Sequence, residues 1–203
     1  AANLSRLAVG DTRVFSRKHE STSKDVAIEL VVDCSGSMSG SKIHTASQAA
    51  YALSSVLERL NIKNEVIGFT TKDIGGAQKE MYEQQSKTGI RFSRAEGIYM
   101  PILKGYDERL TANVKERFGW LPHTNILRSN VDGESVENAA RRLMARREES
   151  KILIVLSDGY PAAAGSRGDL EKHLKDVVRN VSAAGIKVVG IGIESDAVKA
   201  FYP

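Results

Sequence analysis

The 203-residue chain predicts an α/β fold: a mainly parallel central sheet with helices on both faces and one antiparallel edge strand. Three observations carry that prediction. Residues 26–32, 151–157 and 186–193 (VAIELVV, KILIVLS and IKVVGIGI) are nearly continuous apolar runs, the pattern of strands buried on both faces. Between them lie segments whose apolar residues recur every three or four positions, as in helices that bury a single stripe. Strands alternating with helices in this way imply crossover connections, and hence parallel pairing under helices on both sides.

Residues 1–24 are polar and read as a lead-in, with one alternating stretch at 12–16 (TRVFS) that suits an edge strand. After the opening strand, residues 41–60 set Ile43, Ala46, Ala50, Leu53, Leu57 and Leu60 on one helical face. Residues 65–70 (EVIGFT) form the next strand. A helix over 134–147 buries Val136, Ala140 and Leu143 and turns Arg141, Arg142, Arg146 and Arg147 outward, either as a solvated face or as a dock for an acidic partner. After the strand at 151–157, a helix over 169–184 runs through Leu170, Leu174, Val177, Val178 and Val181, and Gly185 stops it as a left-handed cap. Residues 195–201, after the last strand, begin a further helix. The exception to the pattern is residues 71–127, a long insertion rich in charge and Gly, within which 97–103 (GIYMPIL) suits the antiparallel edge strand and 107–118 a short helix. The expected organisation is therefore a lead-in at 1–24 and one domain at 25–203.

Composition narrows the function classes. A hydrophobic content of 41% supplies a full core for one domain. A net charge of +4 with 27% charged residues is mildly basic and falls short of a dedicated nucleic-acid binder. No apolar run approaches the roughly 18–20 residues of a membrane span, and the first residues do not resemble a signal peptide. Cys34 is the single cysteine, which excludes an intrachain disulfide and fits a reducing cytoplasm.

The chemistry concentrates where the apolar strands end. The first is followed by Asp33, Ser35 and Ser37 at alternate positions, and the strand at 151–157 by Asp158-Gly159. Parallel central strands deliver their carboxyl ends to one edge, so Asp33 and Asp158 are expected to meet there, where ligands collect in open α/β sheets. Two carboxylates on neighbouring tips repel unless a cation lies between them. One acid with two hydroxyls suits a hard divalent ion that keeps part of its water: Mg²⁺, with Mn²⁺ or Ca²⁺ as substitutes, because every candidate ligand is an oxygen. Taken singly, Ser35 and Ser37 read equally as turn or cap residues, and Asp158-Gly159 as a turn.

The Asp-x-Ser-x-Ser element resembles the metal-ion-dependent adhesion site of von Willebrand factor A domains, a Rossmann-like fold. In adhesion-type members a third loop supplies a threonine ahead of a helix. Counting back from Gly133 and Val136 puts Asn130 in that position and Asp132 two residues on, a departure from the adhesion pattern. An asparagine carbonyl can still ligate Mg²⁺, and Asp132 is either a ligand, direct or through water, or the cap of the helix that follows. The implied site is thus Asp33, Ser35, Ser37, Asn130, Asp132 and Asp158. Six segments in order (DVAIELVVDCSGSMSGSKI, EVIGFTTKDIGG, NILRSNVDGESVENAARRL, ILIVLSDGYP, HLKDVVRNV and IGIESDAVKAFY) are similar to the carboxyl-terminal A domain of the CobT family of cobaltochelatase subunits, and span most of the chain. The resemblance implies a module that works beside a ring-forming AAA+ ATPase and a large chelatase subunit in cobalt insertion for cobalamin. It also implies a metal position capped by a partner's carboxylate and no catalytic centre in this chain. Its alternatives are an A domain serving a different AAA+ ATPase in cofactor loading, or one associated with nucleic acid.

Other signals do not assemble into an enzyme. Residues 36–42 (GSMSGSK) miss the phosphate-loop spacing, because Gly40 comes one position early and Ile43 stands where a hydroxyl is needed. Met38 occupies the nucleophile position of a Gly-x-Ser-x-Gly reading. His19, His44, His123 and His173 share no metal-ligand spacing, although His44 lies near the site loop. Cys34 is expected to pack against a neighbouring strand. Phe118 and Trp120 read as satellite core, or, if exposed, as a contact surface.

Overall fold

A computed structural model describes residues 25–73, 75–89, 96–123, 125–163 and 167–203. The lead-in, with its 12–16 stretch and His19, lies outside them. Among the described residues the strands are β1 (Val26–Asp33), β2 (Lys63–Lys72), β3 (Gly97–Tyr99), β4 (Ile102–Lys104), β5 (Ser150–Ser157) and β6 (Ile186–Gly192). The helices are α1 (Ser41–Arg59), α2 (Ala77–Thr88), α3 (Ala112–Gly119), α4 (Asp132–Met144) and α5 (Arg167–Ala183), with 3₁₀ turns at Gly36–Met38 and Ala197–Ala200.

The strand order is β3-β2-β1-β5-β6, with β4 also on β2. β2, β1, β5 and β6 pair in parallel, and β3 and β4 run antiparallel to β2. The chain leaves β1 for β2 on one side and returns to β5 on the other, so a topological switch point lies between the carboxyl ends of β1 and β5.

Alternation along the strands splits the core into two layers. Ala27, Val31, Ile67, Phe69, Leu153 and Val155 face Val136 and Leu143 of α4 and Leu174 and Val178 of α5. On the other face, Ile28, Leu30, Val32, Val66 and Leu156 meet Ile43, Ala46 and Ala50 of α1 and Val114 and Phe118 of α3. Truncating a fully buried member such as Leu174 to Ala would cost about 2–5 kcal/mol. Two acids interrupt these apolar runs, Glu29 on β1 and Glu65 on β2, both buried.

Several boundaries differ from the sequence reading. The antiparallel edge is split in two short pieces around Met100-Pro101, where the Pro101 carbonyl accepts the Gly68 N–H at 2.9 Å. The helix expected at 134–147 begins at Asp132 and ends at Met144, the short helix of the insertion covers only Ala112–Gly119, and the expected last helix is a single 3₁₀ turn. Gly185 has φ 90° and ends α5 as expected. α2 went unforeseen. It buries none of its residues, so it carries no apolar stripe to read.

The arginine row at the end of α4 and just beyond it faces outward as expected, with several of its members in ion pairs. Arg142 pairs with Glu65, Arg146 pairs with Glu148 and lies over the Tyr106 ring, and Arg141 pairs with Glu137. Arg141, Arg142 and Arg147 remain exposed, as expected of a solvated row, and Arg146 is half-buried.

Candidate metal centre at the carboxyl edge of the sheet

β1 ends in Asp33, which is fully buried. Its carboxylate is clasped on both oxygens: Oδ1 accepts the Ser35 N–H at 2.8 Å and Oδ2 accepts the Ser157 hydroxyl at 2.6 Å. Burial nonetheless lifts its pKa to about 6, against the lowering effect of the Ser157 and Ser35 hydrogen bonds, and Asp158 adds to the rise. The chain then turns through Gly36–Met38, where the Ser35 and Ser37 hydroxyls stand 3.0 Å apart. Ser37 donates to Oδ1 of Asp158 at 2.9 Å, joining the loop after β1 to the loop after β5 across 121 residues of sequence. Lys42, in the first turn of α1, reaches Oδ2 of the same carboxylate at 2.7 Å.

The third loop arrives by backbone pairing. Ser35 bridges Arg128, whose carbonyl accepts the Gly36 N–H at 2.7 Å. From β2, the Thr70 hydroxyl accepts the Arg128 N–H at 3.2 Å and holds this loop down. Asn130 bridges Ala162, so the loop before α4 is laced to the loop after β5. The Asn130 side chain serves that lacing: Oδ1 accepts the Ala162 N–H at 3.1 Å, and Nδ2 donates to the Tyr160 carbonyl and to Oδ2 of Asp132 at 2.8 Å.

Asp132 is fully buried and does not cap α4. Val131 occupies the cap position without a side-chain bond, and Asp132 is the first helical residue. Its Oδ1 is buried without a hydrogen-bond partner. Burial raises its pKa well above the usual carboxylate range, reinforced by the charges of Asp33 and Asp158.

All six sequence-derived residues therefore belong to three loops that meet over the switch point. A cleft of about 410 Å³ opens there, lined by Ser35, Ser37, Arg128 and Asn130 and by Asp73 and Gln78 at the α2 end. A second cleft of about 530 Å³, on the far side of Ser37 and Asp158, is walled by Tyr160, Arg167 and Leu170. The donor set fits a hard cation: oxygens throughout, three acids in mutual electrostatic contact, and one orphaned carboxylate oxygen. Among the described residues no group of three or more His, Cys, Asp or Glu is arranged as a cage, so an ion here would lean on hydroxyls and water as well as acids.

Sequence reasoning missed Ser157, Thr70, Lys42 and Tyr202. Ser157 closes an apolar strand and Thr70 lies at the end of β2, and only the strand order brings them to Asp33 and Arg128. The Tyr202 hydroxyl is buried without a partner, within the field of Asp132 and Asp33. The residues weighed and set aside fall as their chemistry suggests. Cys34 is buried, with Sγ against Gly68; His44 and His123 are exposed; Phe118 is core, whereas Trp120 is 58% exposed. No helix of the described residues is long and apolar enough to cross a membrane.

Comparison with known proteins agrees with this architecture. The family model of the VWA domain of the cobalamin biosynthesis protein CobT matches residues 14–203. The uncharacterized protein YojO of Bacillus subtilis (strain 168) is 23% identical over 189 residues, 92% of this chain but 26% of that protein, so the chain spans about a quarter of that relative's length. Among solved structures, the pilus adhesin SpaC of Lactobacillus rhamnosus GG superposes with a TM-score of 0.56 at 15% identity, covering 83% of this chain and 24% of that one. The mussel byssus protein PTMP1, solved with a zinc-occupied MIDAS motif, gives 0.53 at 18% over 84% and 36%. The VWA domain of SpRpn10 gives 0.52 at 11% over 86% and 79%. With its parallel sheet, its three converging loops and a family match over nearly its whole length, this chain belongs to the CobT family of von Willebrand factor A domains.

Proposed function

We propose that residues 25–203 form a metal-dependent docking module, which binds a divalent cation at Asp33, Ser35, Ser37, Asp132 and Asp158 and presents it to a carboxylate of a partner protein. The observation that carries this reading is the approach of three acids from separate loops to one another at the carboxyl edge of the sheet, close enough to shift each other's charge, one with an oxygen that has no hydrogen-bond partner among the described residues. When bound, the ion supplies a Lewis-acidic position that a partner's carboxylate can complete; Mg²⁺ suits an all-oxygen site, with Mn²⁺ or Ca²⁺ as substitutes.

The chain's own residues divide the work. Asp33 is oriented by Ser35 and Ser157, and Ser37 ties Asp158 to the loop after β1. Of the two candidates on the third loop, Asp132 has the free oxygen, while Asn130 spends its amide on holding the loops together. Membership of the CobT family supports a place in a cobaltochelatase-type assembly, in the cytoplasm, with an AAA+ ATPase ring and a large chelatase subunit as partners. A different AAA+ ATPase is the alternative partner. The acidic partners of Arg141, Arg142 and Arg146 offset their charge, which weighs against nucleic acid.

The test is titration with Mg²⁺ and Mn²⁺, followed by capture of a cobaltochelatase-type ATPase. Binding that is abolished by EDTA and by Asp33→Ala is expected. Capture that survives both treatments would exclude the metal bridge, and capture of another ATPase in preference would move the module to a different pathway.

A further inference from the structure

Lys42 stands in an electrostatically awkward place. It lies in the first turn of α1, where the helix dipole disfavours a cation, and no acidic residue of that turn compensates it. What holds it is tertiary: its ammonium lies 2.7 Å from Oδ2 of Asp158, a carboxylate left only 8% exposed, while the Lys42 side chain keeps 30% of its surface open to solvent. Ser37 engages the other oxygen at 2.9 Å. Both oxygens of Asp158 are therefore taken by groups of the chain itself, one by a full positive charge.

An ammonium and a divalent cation seeking the same carboxylate compete, and at a separation of a few ångströms they also repel each other. The half-open Lys42 side chain can swing into solvent without disturbing the core, whereas Asp33 and Asp132 are buried and fixed. We propose that Lys42 is the resident counter-ion of Asp158 and sets the cation affinity of the site, so that loading a divalent ion requires displacement of its ammonium. This rests on the metal reading above. A site poised in this way holds the ion weakly alone and more firmly once a partner's carboxylate adds its negative charge.

Isothermal titration of the whole chain with Mg²⁺, and separately with Mn²⁺, tests the proposal on wild type, Lys42→Met, Lys42→Gln, Lys42→Arg and Asp33→Ala, with thermal melts in EDTA to verify folding. Removing the charge should tighten binding about tenfold or more, and the arginine variant should stay near wild type. Equal or weaker binding by both neutral variants, with wild type binding normally, would overturn the counter-ion role while leaving the metal site standing. An absence of binding by wild type and neutral variants alike would overturn the metal reading, and this proposal with it.

Discussion

Glu29 and Glu65 stand side by side in register on β1 and β2, both inside the protein. Arg142 neutralises Glu65, with Nε 2.8 Å from Oε2. Glu29 has only the Tyr106 hydroxyl, donated to Oε2, and its Oε1 is unpartnered. Burial, then the charge of Glu65, lift the Glu29 pKa to about 8, against the pull of Tyr106 and Arg142. A carboxyl raised in the folded state favours the fold fully below its unfolded value of about 4.5, and that contribution is lost as pH climbs to about 8. The slope approaches ~1.4 kcal/mol per pH unit for one proton. Urea denaturation of Glu29→Gln at pH 5 and pH 8 should show the variant gaining on wild type at the higher pH; parallel behaviour would mean that Glu29 is ionised in the fold.

Tyr202 carries a similar unpaid group. Its hydroxyl is buried without a partner, and burial with the charges of Asp132 and Asp33 keeps the phenol protonated well above its usual range. Tyr202→Phe keeps the ring and removes the orphan, so it should raise stability by about 1 kcal/mol in EDTA. A loss of similar size would reveal a hydrogen bond from this hydroxyl to the acids of the site.

Gly192 ends β6 where the chain folds back on itself: a Cβ there would sit 2.0 Å from the Ser195 carbonyl oxygen, a backbone atom that cannot step aside. Gly192→Ala should cost about 1–3 kcal/mol. Gly119, the last residue of α3, has open space around the same position, and Gly119→Ala should be neutral or gain about 0.5–1 kcal/mol. Paired thermal melts check both; similar values would show that the loop after β6 yields freely.

The Cys34 thiol is buried between strands, and burial, followed by the neighbouring Asp33, pushes its pKa far upward. It should resist a thiol reagent such as DTNB in the native protein at pH 8 and react at once in denaturant. Rapid native labelling would mean that the β1 loop opens readily.

The two-faced apolar strands were legible because burial on both sides leaves little room for polar residues, and the Asp33–Ser37 spacing announced its loop. What was not legible has a physical reason in each case. α2 buries nothing, so no period marks it. Glu29 and Glu65 were submerged in apolar averages, because a single buried acid looks like a tolerated exception until its neighbour across the ladder is known. The pairing of Lys42 with Asp158 joins residues 116 apart in sequence, and the capping alternative for Asp132 failed because the helix starts one residue earlier than a cap requires.

The broken edge formed by β3 and β4 has a consequence for how copies of this protein coexist. A strand arriving from another molecule meets three residues of β3, then the break at Met100-Pro101, then three residues of β4. Too little uninterrupted backbone is presented there to template a ladder, so on that flank crowded solutions of the domain are guarded against fibril growth.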